Sequence, residues 1–289
     1  MGLVGCALSD PLIAGTPTPV PADPVLAAQI DAAVPLMAAA EQAVAAQSAD
    51  DPGDASLEAI LVTLAAQHQV LTGPAPLNRT PGYPVAPATP DGSADADAAL
   101  STARDACAAN AVAQPGRPAL FWAALAASAE QMRLGLSLGY ATARPAQPDR
   151  TVTTATPSQA LINLIAAYHQ AVFYAQASPG FVDPGSELRQ RLADILAGLQ
   201  SHRDALIQLA GAQGVDPPAS LGIYDLPSGR DQAAILARLG DALEGLVEAA
   251  GVWVASASQP DEAVAELIYT ASVGLPLGLG TAVWPGFPD

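Results

Sequence analysis

The chain contains no lysine; its 11 basic residues are all arginines. Against 28 acidic residues they leave a formal net charge of −17 and a pI near 4.2. Binding a phosphate backbone needs clustered Lys and Arg, and these arginines are scattered, so a nucleic-acid-binding role is excluded. Cysteine is almost missing too. Cys6 and Cys107 provide neither a disulfide framework nor metal-ligand spacing, and Cys107 reads as a small buried apolar side chain in a helical run. No Gly-x-Ser-x-Gly, phosphate-cradling glycine loop or Cys-x-x-Cys occurs. Three residues before His68, His169 and His202 stand Ala65, Ala166 and Leu199, so there is no Glu-x-x-His pair of the kind a di-metal helical bundle uses. No run of alternating apolar and polar residues stands out, which predicts essentially no sheet.

What the chain has in quantity is alanine, the best helix former and one that lets helices approach closely. The stretch Ser158–Ser178 is the plainest helix. Thr156 can cap it, Pro157 suits its first position, and Gln159 completes a capping box. Leu161, Leu164, Ile165, Tyr168, Val172 and Ala175 recur at three- and four-residue steps, the pattern of a bundle-facing stripe. His169 sits in its middle.

Taken in order, residues 1–23 form a proline-rich tether. Helices are predicted near 24–47, with Pro35 as a kink, then 56–72, 94–112 and 118–142. The proline-rich stretch 73–93 is a long surface loop. Residues 143–156 form the linker between two domains. Helices follow near 157–178, 185–212, 230–257 and 260–282, with 215–227 as the long connection between the middle pair. The run Leu267–Trp284 carries no charge, but Gly274, Pro276, Gly278 and Gly280 interrupt it. It reads as a buried last helix fraying into an irregular tail, not as a membrane span. The fold class is therefore all-α: two antiparallel four-helix bundles, 24–142 and 157–289.

Internal similarity supports two such bundles. Ala65-Ala66-Gln67-His68-Gln69 matches Ala166-Ala167-Tyr168-His169-Gln170 at four of five positions, and Arg104-Asp105-Ala106 matches Arg203-Asp204-Ala205. Glu130 pairs with Glu244 in that scheme. Such self-similarity points to a duplicated helical hairpin.

Two resemblances carry functional implications. Leu3-Val4-Gly5-Cys6 resembles the bacterial lipobox, which implies a lipid on Cys6 and a domain held outside the cytoplasm, on the membrane and not through it. Only five residues precede Cys6, so the charged and apolar parts of a signal peptide are missing from this pattern. The second half, about 155–289, resembles the uncharacterised ferritin-like domain of many actinobacterial envelope proteins. The carrying residues are Leu161–Phe173, Ser201–Leu206, Pro217-Pro218 with Tyr224, Leu226 and Pro227, and the closing Trp284-Pro285-Gly286-Phe287-Pro288. That resemblance implies a four-helix ferritin-like bundle and no settled activity. Members commonly show Glu-His where this chain has Tyr168-His169, a departure that removes one ligand.

The expectation is thus a non-catalytic, lipid-anchored envelope protein with no cofactor, which binds a partner protein or an apolar ligand. The alternative is a degenerate ferritin-like protein holding Fe or Mn, or an oxidase-type centre, around His169. Its weak candidate ligands are His169, His202 and Glu244. Loose carboxylates, Glu266 among them, read as a solvated acidic face. His169 itself reads as a core histidine bonded to a tyrosine hydroxyl or a backbone carbonyl. Arg104-Asp105 and Arg203-Asp204 read as surface residues that form ion pairs to other helices.

Overall fold

The computed structural model describes residues 24–51, 53–72, 95–139, 143–144, 155–221, 224–228, 231–279 and 281–287. Cys6, the tether, most of the 143–156 linker and the 73–93 loop lie outside them. Among the described residues there are eight α-helices: α1 Pro24–Asp50, α2 Ala55–Thr72, α3 Ala96–Val112, α4 Arg117–Leu138, α5 Pro157–Ala177, α6 Glu187–Ala212, α7 Gln232–Ser256 and α8 Asp261–Ser272. The chain is all-α, as its composition and periodicity imply. The one departure among the described residues is a two-residue parallel pairing, β1 Ala143–Arg144 beside β2 Thr281–Ala282.

Caps explain several boundaries. Thr156 accepts the Gln159 N–H at 3.2 Å and Pro157 opens α5. The Gln159 side chain, however, donates to Asn163 Oδ1 instead of returning to the cap, so only half of the capping box forms. Ser186 caps α6 and Asp231 caps α7. Pro35 lies inside α1, which continues through it. The largest boundary correction is α8, which stops at Ser272 and not near 282. The glycines and Pro276 that follow turn the chain through a 3-10 segment at Leu275–Leu277 instead.

In the first half, α1 packs on α2 and α3, and α3 on α4. In the second, α5 packs on α6 and α7, and α7 on α8. Helix α4 also lies along α8 and α7, and α3 touches α8. This placement follows from the α4 sequence. Residues Ala119–Ala129 are buried on every side, and six of them are alanines that leave room for neighbours to close in. Trp122 is wholly buried among them and donates its indole N–H to Gln29 of α1.

The segment after α8 folds back over this junction. Trp284 stacks on Phe121 of α4, with ring centroids 5.9 Å apart, and Phe287 meets Trp284 edge-on. The Val283 carbonyl accepts from Gln67 of α2 at 2.8 Å. Gly286 presses its backbone onto Gly251 of α7, where no side chain would fit.

Cys107 is buried in α3 and free. Burial pushes its thiol up to about 12, so the reactive thiolate is scarce at neutral pH. A thiol reagent at pH 8 is therefore expected to leave Cys107 unlabelled in the native chain and to label it once denaturant is added.

Candidate functional site

The structure gathers its buried polar chemistry where α5, α6 and α8 meet. Tyr168 points inward from α5 and is fully buried. Its hydroxyl donates to Glu266 Oε1 of α8. The other carboxylate oxygen, Oε2, lies 2.9 Å from His202 Nδ1 of α6. Glu266 is 7% exposed. A carboxylate this deep is tolerable only with partners on its oxygens, and it has one on each. Tyr269, one turn along α8, lies flat on the His202 ring, with centroids 3.5 Å apart and planes 4° apart. Gly198 makes room for it: a Cβ there would stand 2.5 Å from the Tyr269 hydroxyl.

Electrostatics follow from this burial. Burial and the neighbouring Glu266 carboxylate push the Tyr168 hydroxyl far above its ordinary range, so it stays a donor. The same two causes lift Tyr269 to about 12. The Nδ1 contact to a carboxylate places the ring proton on Nδ1 when His202 is neutral.

The sequence candidates divide. His202 and Tyr168 come together, joined by Glu266. His169 does not belong to that group. One residue beyond Tyr168, it turns aside and donates from Nε2 to the Pro218 carbonyl at 3.2 Å, so it is a histidine bonded to a backbone carbonyl, half-buried beneath the α6–α7 connection. Tyr174 holds the same connection through its hydroxyl and the Asp225 carbonyl, 3.1 Å apart. Phe173 and Tyr224 pack beside it. Glu244 is exposed on α7. Among the described residues, no group of three or more His, Cys, Asp or Glu is placed to hold a metal ion.

In the first half, His68 faces Glu41 of α1, with Nδ1 3.0 Å from Oε2. Glu130 is gripped by two arginines, Arg104 at 2.9 Å and Arg133 at 2.8 Å. Burial opposes its ionisation, but these hydrogen bonds outweigh burial and hold its carboxyl below the usual range. Arg104 therefore reaches another helix as well as its neighbour Asp105, whereas Arg203 is bonded to the adjacent Asp204.

Glu266 is the residue that sequence reasoning misplaced. A signal was available: it stands between Ala263 and Thr270, on the same stripe as Val264 and Leu267, all buried. A lone acid on an apolar stripe needs an internal partner.

His169 gives a pH test. Burial lowers its affinity for a proton, the nearby Arg203 adds to this, and the Pro218 contact only partly offsets them. A histidine with a depressed folded pKa contributes stability that is complete above the ordinary value of 6.5 and is lost as pH falls through the lower folded value. The stability gap between the native chain and His169→Gln is expected to shrink from pH 7.5 to pH 5 in urea titrations. An unchanged gap would refute the assignment.

No family model matches the chain, and no curated protein or solved structure matches it significantly.

Proposed function

We propose that this chain is a non-catalytic, lipid-anchored protein of the cell envelope whose ferritin-like bundles bind a partner protein or an apolar ligand. The observation that carries the non-catalytic part is the use made of Glu266. Both of its oxygens are occupied by side chains of its own bundle, Tyr168 and His202. Its charge is spent on tying α5, α6 and α8 together. Among the described residues no helix is long and apolar enough to cross a membrane, which fits attachment through a lipid on Cys6.

The acidic surface adds a constraint on the partner. With −17 formal charges and no lysine, the chain is repelled from anionic lipid headgroups. An anchor that reaches past that repulsion, and a partner with basic or apolar contacts, suit it best.

The alternative, a metal-handling centre, gains one observation and loses another. His202 oriented by a carboxylate is the usual setting of a metal-bound imidazole, so such a centre would form around His202 and Glu266. His169, the residue expected at its heart, is engaged by a loop carbonyl instead.

Two measurements test the proposal. The protein isolated from the membranes of its own cells is expected to carry a lipid on Cys6, seen by mass spectrometry, and to move to the soluble fraction on Cys6→Ser. Equal partitioning of both would sink the anchor. Purified chain offered Fe, Mn, Zn and Cu and then desalted is expected to retain none in stoichiometric amount. Near-stoichiometric metal that is lost on His202→Ala would replace this reading with the alternative.

A further inference from the structure

The two halves bury matching positions. On α1 these are Ile30, Ala33, Val34, Met37, Ala40, Ala43 and Val44; on α5, at one constant interval, Leu161, Leu164, Ile165, Tyr168, Ala171, Tyr174 and Ala175. Leu57, Ile60, Leu64 and Leu71 of α2 correspond in the same way to Leu192, Ile195, Leu199 and Leu206 of α6. Ala96, Leu100, Ala103, Cys107 and Ala111 of α3 correspond to Ile235, Leu239, Ala242, Leu246 and Ala250 of α7. The main packings repeat: α1 on α2 and α3, and α3 on α4, answer to α5 on α6 and α7, and α7 on α8. Across the junction α4 meets α8, while α4–α7 is mirrored by α8–α3. That is the contact pattern of a pair related by an approximate two-fold axis.

We infer that the chain is two copies of one four-helix unit, and that the Tyr168–His202–Glu266–Tyr269 group is a site peculiar to the second copy and not a requirement of the fold. The register differs from the one the sequence suggests. By burial α1 answers to α5 and α2 to α6, so His68 and His169 are not counterparts. The counterpart of His202 is Gln67, and that of Tyr168 is Met37. Gln67 donates to Ser128 of α4 at 2.8 Å, just as His202 reaches Glu266 of α8. The same contact between second and fourth helices is thus built twice, once from a neutral amide and hydroxyl, once from an imidazole and a carboxylate. The first copy makes this contact with neutral groups alone. Replacing a buried charged pair with neutral groups is often harmless to stability, whereas removing one member is not. A charged group where the other copy uses neutral ones marks the place to look for this protein's ligand. This inference does not depend on the lipid anchor or on any partner.

The test exchanges the pairs in the full-length chain. His202→Gln and Glu266→Ser are each expected to lower the thermal midpoint. The double variant, which recreates the Gln67–Ser128 pair, is expected to recover at least half of the larger loss. The combination of His202→Gln with Glu266→Ala, which lacks the hydroxyl partner, is expected to stay below it. A double variant as poor as the two losses combined, or one that fails to fold, would overturn the correspondence. So would equal recovery with alanine, since relief of charge alone would then explain it.

Discussion

Glu266→Ala is expected to cost about 3 kcal/mol of stability, because the loss leaves two buried or half-buried partners without their acceptor. Tyr168 is the worse placed: its hydroxyl is sealed inside the bundle and has no water to turn to. His202 is roughly a third exposed and recovers part of its solvation. In thermal unfolding the midpoint should fall by about 6 °C or more. Two companions make the result specific. Glu266→Gln keeps an oxygen for Tyr168 but turns an amide donor toward one of two donors, and should cost less than alanine. Adding Tyr168→Phe to Glu266→Ala removes the stranded hydroxyl and should restore part of the loss, since deleting both partners is milder than deleting one. A loss below about 1 kcal/mol for Glu266→Ala, within the range of an ordinary surface change, would show that the group does not hold the helices together.

Gly251→Val is expected to be at least as damaging, by about 3 kcal/mol, through a different route. The obstacle is the backbone of Gly286, not a side-chain end that could swing away. Any Cβ at 251 pushes residues 283–287 off the α4 junction. Trp284 then leaves Phe121, and Gln67, buried in α2, loses the Val283 carbonyl. Gly245 on the same helix is the control. A Cβ there meets nothing within 4 Å, so Gly245→Ala should be neutral or stabilising by up to about 1 kcal/mol. Trp284 fluorescence is confounded by two other tryptophans, so the displaced tail is best followed by proteolysis after the chain's aromatic residues. If Gly251→Val unfolds at the native midpoint, the tail is not seated as described.

The helices were legible because their punctuation is chemical. Thr156-Pro157 and Asp231 announce starts, and the α5 stripe at three- and four-residue steps names its own buried face. Three features were not. Helix α4 has no stripe to find: alanine on all sides gives no polar face, and only its neighbours decide that every side is covered. The tail after Ser272 lacks charge, which resembles helix, but closely spaced glycines and Pro276 stop the hydrogen-bond ladder. The site was displaced by one residue. Successive helical side chains diverge by about 100°, so Tyr168 can face the core while His169 faces a loop. The sequence places both in the same short run and cannot say which side chain meets Glu266, more than ninety residues away.

The position of Val283 and Trp284 also bears on how the molecule assembles. These residues are made after all eight helices, yet they complete contacts of α2 and α4 in the first half. Helices emerging from a ribosome in order leave Gln67 short of an acceptor, and Phe121 bare on one face, until residues 281–287 arrive. The first half is thus expected to remain loosely packed through most of synthesis and to tighten in one late step, as residues 281–287 close across it like a drawstring.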